Sequence, residues 1–233
     1  MTRQPIPHDL MFEGQGVHAI ALALLLAALA AASVVSGFFD GRFLGLSTGI
    51  WVFLVVADAV VHQVYVWLCW RLELHGQRLT RQFGDKAFRY FKIGFAVLIA
   101  LRPLLAFALA WANRGTLPLT PWLGVLLGLA LLAPGLYLMV SVRRYFGFDR
   151  AFGIDHFDAS YREMPLVRGG IFKWTPNAMY VFGFLLLWAP ALLFQSVAAL
   201  AVAAFSHGYI WVHFYCTERP DMRRIYGPSP SGS

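Results

Sequence analysis

Near its C-terminal end the chain sets His207, Trp211, Phe214 and Glu218 at spacings of four, three and four. In a helix that spacing forms one stripe, so a carboxylate, a histidine and two ring faces share a side. His213 sits on another side of the same turns. A carboxylate and two histidines at a helix exit are groups that take up protons, and Glu218, His207, His213 and the neighbouring Asp155-His156 are candidate bases. A second polar stripe, Asp58, His62, Tyr65 and Cys69, repeats the spacing earlier in the chain. It reads either as a substrate-facing or proton-handling face, or as an interhelical hydrogen-bond patch that includes an Asp58–His62 pair. His207 and His213 are six apart and point in different directions, unlike the i, i+4 pair of a helical zinc site, so no metal is expected.

The elements that position these residues are membrane helices. The chain is 59% hydrophobic and 13% charged, with a mean hydropathy of +0.61. A soluble domain of this size cannot bury so much apolar surface. Repeated apolar runs near 20 residues, rich in Leu and Ala and without alternation, point to an all-α integral membrane protein rather than a barrel. Spans are expected near 17–37, 49–70, 93–112 and 122–142. The first is read as a retained span, not a secretion signal, because it lies behind Asp9 and Glu13. The stretch 179–216 is too long for one crossing and is read as a C-terminal helical hairpin, 179–194 and 197–217, broken at Gln195-Ser196, with a short first arm. The total is about six transmembrane helices.

The two cysteines, Cys69 and Cys216, exclude a disulfide framework and read as buried thiols. Basic residues collect in 71–92, in 143–178 and in the tail, whereas the opposite loops carry only Arg42 and Arg114. That bias predicts both termini and both basic loops in the cytoplasm. It makes the net charge of +7 a topology signal, with no nucleic-acid motif. Three regions follow: 1–142, four helices with the basic loop 71–92; 143–227, a polar loop, the hairpin and its tail; and 228–233, a disordered end.

Between the halves lies GGIFKWTPNAMY, where a polar loop meets the mouth of an apolar helix. Gly169 and Gly170 allow either a close backbone approach to a ligand or a simple turn. Trp174, Tyr180 and Trp211 offer ring faces to a methylated ammonium, or act as interface anchors. Arg143, Arg144 and Arg168 suit lipid phosphates, or serve as topology charges.

Two segments carry a resemblance. Gly170-Ile-Phe-Lys-Trp-Thr-Pro-Asn-Ala-Met-Tyr180 resembles a membrane methyltransferase pattern in which a Gly-aromatic-basic-aromatic loop leads into Arg-His-Pro-x-Tyr. TERPDMRRIYG is similar to Glu-Glu-x-x-Leu-x-x-x-Phe-Gly, with Glu218 first and Met222, Tyr226 and Gly227 in register. Both belong to the superfamily of phospholipid N-methyltransferases and isoprenylcysteine carboxyl methyltransferases. The chain departs from it in Pro176-Asn177-Ala178 for Arg-His-Pro and in Arg219 for the second acid. Asn177 before Met-Tyr, and Pro220 after the glutamate, look more like the phosphatidylethanolamine branch.

The resemblance implies S-adenosylmethionine as donor and a phospholipid as acceptor, with methylation of phosphatidylethanolamine and its methylated derivatives toward phosphatidylcholine. It implies that Asn177, Met179 and Tyr180 line the cofactor together with Gly169, Gly170 and Trp174. Glu218 would pair with the donor's ammonium or hydroxyl groups, and Arg219 would hold its carboxylate or a lipid phosphate. Alternative acceptors are a prenylcysteine carboxylate or a small thiol. Alternative classes are an NADPH-dependent membrane reductase and a non-enzymatic bundle or small transporter. The site is expected to face the cytosol of a multi-pass membrane protein, with usage leaning to a bacterial inner membrane over endoplasmic reticulum. The oligomeric state stays open.

Overall fold

The computed structural model describes residues 6–165 and 167–227; the end expected to be disordered, 228–233, lies outside them. The described elements are helical apart from one small hairpin. A short α1 (His8–Phe12) precedes α2 (Gln15–Ala32). Strands β1 (Arg42–Phe43) and β2 (Leu46–Ser47) pair antiparallel across Leu44-Gly45, both of which take positive φ. The long α3 (Thr48–Gly76) then leads through α4 (Arg78–Phe83) into α5 (Ala87–Ala112). The basic stretch 71–92 is thus largely helical rather than an open loop. Next come α6 (Pro121–Ser141), a short α7 (Phe148–Ala151), α8 (Leu185–Leu193), α9 (Val197–His213) and α10 (Arg219–Tyr226).

Five helical stretches are long and apolar enough to cross a membrane: His8–Ala32, Thr48–Gly76, Arg78–Ala112, Pro121–Phe146 and Val197–Tyr226. The first arm of the hairpin, Met179–Leu193, is apolar but shorter, below the roughly 20 residues of a full crossing. It packs against α6, where Gly124, Gly128 and Gly135 leave no room for a side chain. A Cβ there would come within 2.8 Å of Leu192, 2.5 Å of Leu193 and 2.6 Å of Leu186. Small residues let two backbones close up where the lipid gives no hydrophobic drive.

The polar groups inside the bundle find partners across helices. Asp58 pairs with Arg102 of α5 at 3.1 Å, both side chains buried, instead of with His62. His62 packs edge-on to Phe95 at 4.7 Å. The Tyr65 hydroxyl donates to the Phe91 carbonyl at 3.0 Å. A bundle-facing arginine thus neutralises the aspartate that the apolar interior could not hold alone.

At the far end from the basic loops, Asn113 ties four segments together. Its amide donates to the carbonyls of Gly37 at 2.8 Å and Asp40 at 2.9 Å. Its oxygen accepts from Ser196 Oγ, the Ala198 N–H and Thr116 Oγ1, each at 2.9 Å. Ser196 also caps α9 by accepting from the Ala199 N–H. The turn of the hairpin is therefore nailed to the ends of α2 and α5. Asn113→Leu is expected to destabilise the protein by roughly 3 kcal/mol or more, because several buried donors and acceptors lose their partner at once. Thermal unfolding in detergent, against wild type, measures it.

Candidate functional site

The hairpin brings the two polar-flanked segments together. Side chains in a helix tilt toward its N-terminus. The first arm runs away from the basic end and the second returns toward it. Tyr180, at the start of one, and Glu218, at the end of the other, therefore lean toward each other. The Tyr180 hydroxyl donates a hydrogen bond to a Glu218 carboxylate oxygen. The Tyr180 ring lies 5.6 Å from Trp211 and 5.3 Å from Phe214, so aromatic faces wall the carboxylate. Deeper on the stripe, His207 Nδ1 accepts from Trp188 Nε1 at 3.2 Å and its ring stacks on Phe184 at 5.5 Å. The stripe read from spacing does face one neighbour.

His213 faces the other way. It is buried, with its ring 5.9 Å from Trp70 of α3 and 6.4 Å from His18 of α2. The remaining sequence-predicted residues spread around the mouth. A Cβ on Gly169 would meet Tyr145 at 2.5 Å, and one on Gly170, at φ +60°, would meet Ser141 at 2.6 Å. These glycines let the loop lie flat on the end of α6, where Ser141 Oγ accepts the Ile171 N–H at 3.1 Å. The Asn177 carbonyl accepts the Tyr180 N–H at 3.0 Å and so opens the arm. Met179 packs with Leu138 and Val142, on the side away from the Tyr180–Glu218 contact. Trp174 is exposed under Lys173, 5.2 Å from its ring. Arg143, Arg144, Arg168 and Arg219 are exposed, and Arg219 lies 5.7 Å over Tyr215.

Three π-helical turns converge here: Val142–Phe146, Met179–Gly183 and Phe214–Glu218. Such turns are uncommon, and they widen a helix and loosen its hydrogen-bond ladder, often where a site needs it. Tyr180 and Glu218 each sit on one. Composition carries no signal for them.

Behind Glu218 lies a buried charged cluster that the sequence only half disclosed. His156 Nδ1 meets Asp155 Oδ1 at 3.1 Å and its Nε2 stands 3.6 Å from Asp221 Oδ2. Asp221 Oδ1 pairs with Arg71 Nε at 2.8 Å, and both side chains have no exposure. Tyr226 donates to Asp155 Oδ2 at 2.8 Å. The Trp70 ring stacks on His156 at 4.1 Å. Burial opposes charge on His156, but hydrogen bonding and charge from Asp155 and Asp221 outweigh it and raise the imidazole to about 9. Burial also pushes Asp155 up, yet His156 and Tyr226 hold its carboxyl below the usual range. At neutral pH His156 is a cation clasped by carboxylates, not a base. Arg71 and Asp221 were missed because charge counting assigns both to solvent.

The comparisons with known proteins bear on this same half. The profile of the phospholipid methyltransferase family matches residues 123–229. These residues belong to the phospholipid methyltransferase family. The hairpin, its three π turns and the Tyr180–Glu218 pair all lie inside the methyltransferase-family region. Among similar proteins are phosphatidylethanolamine N-methyltransferases of three fungi. That of Lodderomyces elongisporus is 29% identical over 108 residues, 46% of this chain and 12% of the relative. That of Talaromyces marneffei is 28% identical over 205 residues, covering 78% of this chain and 20% of the relative. That of Arthroderma benhamiae is 27% identical over 206 residues, covering 82% and 21%. The chain therefore spans between about an eighth and a fifth of the length of these relatives. No solved structure matches it. Among the described residues no group of three or more His, Cys, Asp and Glu side chains is arranged to hold a metal ion.

The raised His156 has a thermodynamic consequence. A group whose pKa is higher folded than unfolded stabilises the fold fully below its unfolded value, and that contribution is lost as pH rises through the folded one. With an unfolded value near 6.5 and a folded one of about 9, the contribution is on the order of 3 kcal/mol. The melting temperature in detergent is expected to fall between pH 6.5 and 9.5. His156→Gln is expected to start lower and to lose that alkaline slope.

Proposed function

We propose that the chain methylates the amine of phosphatidylethanolamine, and of its methylated derivatives toward phosphatidylcholine, with S-adenosylmethionine as donor. The observation that carries this reading is the Tyr180–Glu218 contact. It joins the two segments that resemble the methyltransferase motifs, inside the region matched by the family. The charge bias of the loops supports a cytosolic mouth, where a water-soluble donor and a membrane lipid can meet.

The residues fit such a donor. Glu218 offers an anionic oxygen to its ammonium or hydroxyl groups, and the faces of Tyr180, Trp211 and Phe214 suit cations. When bound, the donor supplies an electrophilic methyl on a sulfonium. The protein's part is alignment and exclusion of water. Tyr180 orients the Glu218 carboxylate by its hydrogen bond. Asn177 and Met179 begin the arm that carries Tyr180, and Gly169 and Gly170 seat the preceding loop. Exposed Arg143, Arg144, Arg168 and Arg219 stand ready for lipid phosphate or the donor carboxylate.

The lipid amine must shed its proton to free a lone pair. His156 is already charged, His213 faces α2 and α3, and His207 has one nitrogen engaged by Trp188. Desolvation of the ammonium at the apolar mouth favours its neutral form, so the proton leaves to water without a dedicated base.

The test is labelled-methyl transfer from S-adenosylmethionine to defined lipids by the purified protein, read by lipid chromatography. Label is expected in methylated ethanolamine lipids. Donor binding without lipid label would move the reading to a thiol or prenylcysteine acceptor, and no donor binding would end it. Glu218→Gln is expected to fold yet bind the donor at least tenfold more weakly by calorimetry. Tyr180→Ala is expected to lower turnover more than Tyr65→Ala, whose parent side chain only donates to Phe91.

A further inference from the structure

The carboxylate on which that reading depends stands at a soft point. Glu218 is the last residue of a π-helical turn, where the ordinary ladder of bonds does not fix rotation about the helix axis. Something outside the helix must set its direction. Two pins are present. Before Glu218, Gln15 Nε2 donates to Thr217 Oγ1 at 3.1 Å, and Gly14 lets α2 begin so close that a Cβ there would fall 2.4 Å from the Cys216 carbonyl.

After Glu218, Asp221 lies three residues on, about one turn along the same helix. It is held by Arg71 at 2.8 Å and by His156 at 3.6 Å. His156 in turn is fixed by Asp155, by the Gly153 carbonyl at 3.2 Å and by the stacked Trp70. A Cβ on Gly153 would sit 2.5 Å from Trp70, so the loop packs hard on that ring. The groups that face His156 are Asp155 from its own turn, Asp221 and Glu218 from the last helix, Arg71 from α3 and His213 from α9. The charges of His156, Asp155 and Asp221 all reach Glu218.

We propose that His156 is a positioning residue: clasped between Asp155 and Asp221, it locks the helix beyond the π turn and so aims the Glu218 carboxylate at the donor site. This rests on the methyl-transfer reading for what is bound there, but the locking itself does not.

Two measurements separate the claims. Hydrogen exchange of amides 214–226 at pH 7 reads the lock without any ligand. His156→Gln is expected to speed it at least tenfold. Saturation curves for S-adenosylmethionine and for phosphatidylethanolamine in vesicles read the aim. The KM for the donor is expected to rise tenfold or more, with the KM for the lipid unchanged within twofold. A general loss of folded protein would not give that split. Exchange at wild-type rates would overturn the proposal, as would faster exchange with an unchanged donor KM. Faster exchange in a protein whose wild type binds no S-adenosylmethionine would sink the methyl-transfer reading and leave the lock standing. Should His156→Gln fail to fold, Asp155→Asn loosens the same clasp from one side and is judged by the same two readouts.

Discussion

Arg71 and Asp221 meet with no solvent on either side chain, and the arrangement of the basic end follows from that contact. Each ion costs several kcal/mol to take out of water, and leaving one without the other is costlier still. The chain must therefore keep the end of α3 against the start of α10. Everything between them in space is then specified. His156 fits beside Asp221 because Asp155 supplies the second negative charge. Arg71 also donates to the Leu10 carbonyl, while Glu13 pairs with Arg224, which draws the segment before α2 across the same end.

The membrane explains why the pairing is so complete. Within the bundle a polar group has no water to fall back on, so Asp58 finds Arg102 and Tyr65 finds a carbonyl. At the opposite end Asn113 uses both sides of its amide on backbone and hydroxyl partners. Between these two fixed ends the helices pack through small residues and rings. The glycine face of α6 holds the short arm, and the rings of Phe184, Trp211 and Tyr180 fill the gap between that arm and α9.

What could be read from residues alone follows the range of the interactions. The hairpin was legible because apolar length and the Gln195-Ser196 break are local. The His207–Glu218 stripe was legible because helix geometry fixes which residues share a face. Partners across helices were not. Spacing suggests His62 for Asp58, and the structure gives Arg102, because an arginine on another helix leaves no trace at i+4. Arg71 was counted as a loop charge because α3 continues past its apolar run, and its burial depends on an aspartate at the far end of the chain. The π turns have no compositional mark at all. They arise where tertiary contacts pull one residue out of register, as Gln15 and Gly14 do beside Cys216.

That last point bears on why a site belongs at this place. A regular helix is a stiff carrier, and it presents a side chain in the direction its own register dictates. A π turn removes that dictation and hands the direction to neighbouring elements. Tyr180 and Glu218 both sit on such turns, and they belong to helices running in opposite senses whose side chains tilt together. The price is a locally weak ladder, and the offset is the buried charge cluster just beyond it. Rigidity at the base and adjustability at the contact are thus built from adjacent residues of one helix. The apolar arm that carries Tyr180 is also shorter than its neighbours. With its far end fixed at Asn113, its near end stops within the depth of the bundle, where the ring faces of α9 are still present to meet it.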